Sequence, residues 1–185
     1  MLKEIRIHGR GGQGGVTAAE LLARAAFKEG KQVQAFPFFG AERRGAPVKT
    51  FARISDESIA IRSQIYSPDY VIVLDSTLLQ VVDVVEGLKK DGIVVMNTTK
   101  KPEEVDLKGY RVAVVDATGI ALELGLSVAG IPVINTPMLG AFSRATQEVK
   151  LESVIEAIKE EWQGSKGEKN AKGAALAYDG LTKGW

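Results

Sequence analysis

The chain has no cysteine among its 185 residues and only one histidine. Without thiolates it can form no disulfide and can ligate no iron–sulfur cluster or zinc ion through cysteine. His8 alone supports neither a histidine-based metal site nor a convincing Ser-His-Asp arrangement. Charge of one sign is missing as well: 24 Lys and Arg against 23 Asp and Glu leave a net charge of +1. Nothing therefore steers the chain toward nucleic acid or a membrane surface. No apolar run approaches the roughly 18 residues of a spanning helix, and no basic-then-apolar leader opens the sequence. A cytoplasmic protein is the expectation. Also absent are a G-x-S-x-G elbow, a G-x-x-x-x-G-K-[ST] phosphate loop and any carboxylate pair that stands out from a solvated helix face. Aromatics make up 6% of the residues, but 45% are hydrophobic, enough for one substantial core at this length.

What is abundant is glycine, and it is concentrated near the start. Residues 3 to 8 alternate apolar and polar as a strand does, then run into Gly9-Arg10-Gly11-Gly12-Gln13-Gly14-Gly15. Gly9, Gly11 and Gly14 stand in G-x-G-x-x-G register, and the apolar spacing from Val16 to Phe27 predicts a helix whose N–H groups would face an anion. The acid that a dinucleotide site needs at the end of the second strand is missing, because that strand, from Gln32, ends in Phe36-Pro37-Phe38-Phe39. NAD is thus disfavoured. The loop either cradles another phosphate-bearing group or serves only tight turning and packing.

Three nearly continuous apolar runs, at 70–74, 92–96 and 111–115, read as strands buried on both faces. Alternation of strands with helices predicts an α/β, Rossmann-like three-layer fold with a mixed, mainly parallel sheet. The spacing of Leu78, Val81, Val82, Val85 and Leu88 predicts a crossover helix capped by Ser76. Residues 46 to 65 alternate on either side of Ser55-Asp56-Glu57-Ser58 and predict an antiparallel hairpin inserted into the sheet. Short helices are expected after Asp116 and from Asn135, and the Leu151 to Trp162 stripe predicts a longer one. Residues 1–163 form the expected α/β domain. A polar break from Gly164 then precedes a short helix around Ala171 to Tyr178, too weakly apolar to stand undocked.

A second anion-capable segment follows the second strand. There Arg43 and Arg44, between Gly40 and Gly45, suit bidentate contact with phosphate or carboxylate. Beside three phenylalanines the subunit-interface reading is the favoured one, and a ligand bound at an interface would satisfy both readings.

Taken in order, Gly9 to Val16, Phe39 to Ala46, Ser67 to Asp75 and Asn135 to Phe142 resemble the gamma subunit of 2-oxoacid:ferredoxin oxidoreductases, most closely the pyruvate enzyme, over residues 1 to about 163. The resemblance implies a complex that converts a 2-oxoacid, coenzyme A and oxidised ferredoxin into acyl-CoA, carbon dioxide and reduced ferredoxin. It implies partner alpha, beta and delta subunits holding thiamine diphosphate, magnesium and [4Fe-4S] clusters, since this chain lacks their motifs. For this chain it implies assembly and coenzyme A handling, with Gly9, Arg10, Gly11, Gly12, Gln13, Gly14, Arg43 and Arg44 toward the phosphates. A stand-alone NAD(P)-binding oxidoreductase and a purely structural scaffold are the alternatives.

Overall fold

A computed structural model describes residues 1–38 and 44–185. Strand β1 (Lys3–Arg10) feeds the glycine loop and helix α1 (Gly15–Lys28), and β2 (Gln32–Phe38) and β3 (Pro47–Ser55) follow. The chain continues through β4 (Tyr70–Val73), β5 (Ile93–Asn97), β6 (Arg111–Val115) and α2 (Ala117–Glu123). A short hairpin, β7 (Ser127–Val128) and β8 (Ile131–Pro132), leads to α3 (Asn135–Thr146), α4 (Leu151–Glu161), α5 (Ser165–Asp179) and β9 (Thr182–Lys183). Among the described residues one sheet runs in the order β2-β3-β1-β4-β5-β6-β9. Strands β1, β4, β5 and β6 are parallel, whereas β3 is antiparallel to both β1 and β2, and β9 to β6. The expected Rossmann-like mixed sheet is present, with the three apolar runs as its adjacent strands β4 to β6.

The two faces of the sheet are covered differently. Ile5, Ile7, Ile72, Val95 and Ala113 pack on the helices, with α3 at the centre of that layer. On the opposite face Val71, Val73, Val94 and Met96 meet Leu78, Val84, Leu88 and Val105 from irregular chain. The expected crossover helix over 78–88 is therefore a 3-10 turn at Ser76–Gln80 followed by turns. Four valines in five residues disfavour helix, and Asp83 takes the Val85 N–H on its carboxylate at 3.1 Å. Asp75, not Ser76, caps this segment by accepting from the Thr77 N–H.

The inserted hairpin also differs in its second arm. Val48 to Ile54 lie in β3, but Ile59 to Ile61 form no strand, so the antiparallel partners of β3 are β1 and β2. Arg53, 1% exposed, replaces the missing ladder. It donates to the carbonyl oxygens of Ile61, Ser63 and Gln64, to Gln34 Oε1, and to Glu4 Oε1 at 2.8 Å. Its guanidinium also lies 5.2 Å from the Phe36 ring centre.

Helix α5 begins at Ser165, directly after Gly164 in a left-handed conformation (φ 68°), so the expected polar break is a single residue. The helix packs on α3 and α4 and buries Ala171, Ala174 and Ala177. Gly140 makes the approach possible, because a Cβ there would stand 1.9 Å from the Ala174 carbonyl oxygen.

His8 and Arg6 share the irregular side of β1. His8 is buried and accepts from Arg6 Nε at 2.9 Å, so its proton sits on Nδ1. Burial, then the charges of Arg6 and Lys49, push the imidazole pKa down to about 3 from 6.5. Between those values the unfolded chain binds the extra proton, so this contribution is complete above pH 6.5 and declines as the pH falls. The expected loss is about 1.4 kcal/mol per pH unit across that window. His8→Gln keeps an acceptor for Arg6 without titrating. Chemical-denaturant melts from pH 7 to 4 are expected to show a shallower acid decline for the variant, and parallel declines would contradict this account.

Candidate functional site

The carboxyl ends of β1 and β4 adjoin at the point where the chain connections diverge. From β1 the chain passes through α1 to β2 and β3, and from β4 it passes to β5 and β6 on the other side. In open α/β sheets such a switch point forms a crevice outside the strand ends. Because β2 runs in the same direction as β1, its end reaches this edge too.

Glycine is required here at specific atoms. Gly12 and Gly14 have φ of 95° and 78°. A Cβ on Gly14 would lie 2.5 Å from the Asn135 amide nitrogen, which donates to the Gly14 carbonyl oxygen at 3.3 Å. This contact ties the start of α1 to the start of α3. Asn135 therefore lies inside α3, with its amide turned to the loop, and caps neither helix. Among the described residues no side chain caps α1, and a helix start without a side-chain cap suits an anion. Gly9 packs against Leu74, whereas a Cβ on Gly12 would meet nothing within 4 Å among the described residues.

Arg10 and Gln13 brace the loop. Gln13 accepts from the Arg10 N–H at 2.7 Å and donates weakly to Asp75. Arg10 Nε donates to Asp75 at 2.9 Å, Nη1 to the Gly45 carbonyl and Nη2 to the Thr77 hydroxyl. Burial raises the Asp75 carboxyl, but the Thr77 hydroxyl and N–H, then Arg10 and Gln13, outweigh it and hold the group below its ordinary value. Gly11 and Gly45 add reciprocal backbone contacts, Gly11 N–H to the Ala46 carbonyl and Gly45 N–H to the Gly11 carbonyl. Gly45 and Ala46 thus lie against the glycine loop, but Arg10 is neutralised by Asp75, a carboxylate given no role in the sequence analysis. An acid directly after a buried strand, on the edge that carries a glycine loop, was the available signal.

The loop opens into a cavity of about 570 Å³. Gly12, Gly14 and Thr17 line one wall, Arg44 another, and Lys166 and Lys169 from the first turns of α5 a third. Among the described residues its lining holds these three cations and no carboxylate. Lys166 Nζ stands 4.9 Å from the Trp162 ring centre. Buried Asn170 joins α5 to α3, accepting from the Thr136 hydroxyl at 2.7 Å and donating to the Lys166 carbonyl. The two lysines were hidden in the polar stretch read as a break. Arg43 lies outside the described residues.

The β7–β8 hairpin forms the apolar side of the cavity. Its two-residue turn, Ala129-Gly130, has positive φ at both positions, 50° and 78°, and presents exposed Val128 and Ile131. Among the described residues the end of β2 offers Pro37 and Phe38 and no acid for a ribose.

A family model described as pyruvate ferredoxin/flavodoxin oxidoreductase matches residues 4–180. The chain is 59% identical over 180 residues to pyruvate synthase subunit PorC of Methanocaldococcus jannaschii, covering 97% of each. It is 61% identical over 180 residues to the pyruvate/ketoisovalerate oxidoreductases common subunit gamma of Thermococcus kodakarensis, covering 95% of each. The fold matches the crystal structure of pyruvate oxidoreductase subunit PORC from Thermotoga maritima with a TM-score of 0.86 and 40% identity, over 100% of this chain and 99% of that one.

Proposed function

Because this chain belongs to the pyruvate ferredoxin/flavodoxin oxidoreductase family, as the gamma subunit of a pyruvate/2-oxoacid ferredoxin oxidoreductase, we propose that it holds coenzyme A by its phosphates and presents it to the partner subunits. The observation that carries this reading is the cavity where the uncapped start of α1 meets Arg44, Lys166 and Lys169 with no carboxylate among the described lining residues. A pyrophosphate fits backbone N–H donors at a helix start, and a further phosphate fits cationic side chains on the opposite wall. Gly9, Gly11, Gly12 and Gly14 admit the ligand backbone, while Arg10 and Gln13 act as positioning residues through Asp75. Arg43 belongs with Arg44 in this reading.

The remaining chemistry lies with alpha, beta and delta partners in a cytoplasmic complex. Thiamine diphosphate with magnesium would supply the decarboxylation chemistry and [4Fe-4S] clusters the electron transfer, both held by those partners. The absence of cysteine from this sequence supports placing the clusters elsewhere. Residues 1–163 are the assembling α/β domain, and 164–185 are an extension that also supplies two of the phosphate-facing cations.

Replacement of both Lys166 and Lys169 by alanine in the purified complex is expected to raise the Kd for coenzyme A about tenfold or more, with maximal turnover kept at saturating coenzyme A. An unchanged Kd by calorimetry would overturn the assignment.

A further inference from the structure

The two edges of the main sheet are finished differently. At one end β9 is two residues long and carries Lys183, and the Trp185 ring centre lies 5.0 Å from the Arg111 guanidinium and 5.4 Å from Lys183 Nζ. A short, charged edge strand deters pairing with another chain. At the other end, among the described residues, β2 closes the sheet over seven residues, Gln32-Val33-Gln34-Ala35-Phe36-Pro37-Phe38, with no charged side chain. Phe38 at its end is 41% exposed.

The register fixes which backbone groups of β2 point outward. Leu74 N–H donates to the His8 carbonyl and Asp69 N–H to the Glu4 carbonyl, so the even-numbered residues of β1 bond toward β4 and the odd-numbered ones toward β3. Ile5 stands opposite Ala52 and Ile7 opposite Thr50, so the even residues of β3 bond to β1 and its odd residues to β2. Those odd residues meet Gln34 and Phe36, with Arg53 opposite the first and Phe51 opposite the second. The N–H and C=O groups of Val33 and Ala35 and the carbonyl of Pro37 therefore face away from the sheet. Among the described residues no loop or turn backbone bonds to them. Proline sits where the ladder to β3 needs no donor.

We propose that β2 pairs with the β2 of a second copy of this chain, antiparallel across a two-fold axis at Ala35, joining the two sheets into one. This two-fold register sets all seven residues of the strand opposite one another. The two Ala35 residues exchange N–H to carbonyl bonds, and each Val33 N–H meets the Pro37 carbonyl of the other copy. Only the bond that a non-proline residue at 37 would donate is forfeited. A second copy is the fitting occupant because a two-fold contact lays each strand against itself reversed, Gln32 against Phe38 and Gln34 against Phe36, and no like charges meet. The sequence analysis favoured an interface beside the phenylalanines that end this strand, and the open edge gives that interface a register. The inference is independent of the coenzyme A assignment.

The test measures the molar mass of the purified full chain by light scattering, together with amide hydrogen exchange at Val33 and Ala35. Gln32 and Phe38 are exposed, so charges placed there leave the core alone. A dimer is expected at roughly 0.1 mM, with exchange at both amides slowing as the concentration rises. Gln32→Lys with Phe38→Lys sets like charges opposite each other at both ends and is expected to weaken the dimer about tenfold or more. Gln32→Glu with Phe38→Lys sets opposite charges there and is expected to keep the dimer at least as tight as the parent. A monomer at that concentration, or a dimer that the double lysine variant leaves unchanged, overturns the proposal. A chain that is monomeric alone but protected at Val33 and Ala35 within the complex overturns it too, because a strand from another subunit then fills the edge.

Discussion

Gly140→Ala is expected to destabilise the chain by about 3 kcal/mol, although alanine is the better helix former by about 1 kcal/mol. The added methyl would sit 1.9 Å from the carbonyl oxygen of Ala174 and 2.6 Å from its carbonyl carbon. These are backbone atoms of α5, so no side-chain rotation relieves the contact. Either α5 moves away from α3 or α3 shifts beneath the sheet, where ten of its residues are buried. The Thr136–Asn170 hydrogen bond and the Gly173 contact with Pro137 lie on the same seam and would loosen with it. For a chain of this size a loss of about 3 kcal/mol lowers Tm by roughly 6–12 °C. A thermal melt showing an equal or higher Tm would contradict the close-packed seam. Lys166 and Lys169 sit at the start of α5, so on the proposed coenzyme A reading the same substitution is expected to weaken coenzyme A binding as well.

Arg53→Met is expected to cost about 3–5 kcal/mol, the range for removing one member of a buried ion pair. Methionine replaces the apolar stem but not the fork. Glu4 keeps its charge with a side chain only 17% exposed, and the carbonyl oxygens of Ile61, Ser63 and Gln64 lose their donor. Unpaired buried acceptors are the larger part of the cost. Segment 57–65 then has little to hold it on the sheet, and faster proteolysis there should accompany the lower Tm. Arg53→Lys restores charge opposite Glu4 but cannot reach three carbonyls at once, so an intermediate stability is expected. A methionine variant within 1 kcal/mol of the parent in denaturant titration would show that the segment is held by something else.

The parts of the fold that the sequence made legible are those where burial acts on both sides of an element. The runs at 70–74, 92–96 and 111–115 read as strands because nearly every residue, exposed Arg111 excepted, meets core, and they are β4, β5 and β6. Glycines 9 to 15 between a strand and a helix were legible because the spacing itself carries the geometry. Residues 78–88 misled because Leu78, Val84 and Leu88 do face the core, but from turns that β-branched valines and Asp83 favour over a helix. The second arm of the hairpin misled because its carbonyl groups are taken by side chains, Arg53 at Ile61, Ser63 and Gln64 and Gln34 at Ile59, rather than by a neighbouring strand. Nothing local in the sequence announces such a partner.

The site was half legible for a similar reason. The glycine loop and Arg44 are close to each other in sequence terms, one after β1 and the other after β2, and the strand directions bring them to one edge. Asp75 and the lysines of α5 arrive from more than sixty and one hundred and fifty residues away, respectively. Their roles depend on tertiary packing, above all on Gly140 letting α5 lie against α3. That dependence makes the small residues of the α3–α5 seam part of the functional argument.

The most direct measurement is anaerobic affinity purification of this chain from its own cells, with the eluate assayed for thiamine diphosphate, iron and coenzyme A-dependent reduction of a viologen dye by several 2-oxoacids. The account predicts that cofactor-bearing partners co-elute with that activity and that pyruvate is the preferred substrate. A chain that elutes alone, with no such activity in any fraction, would contradict it.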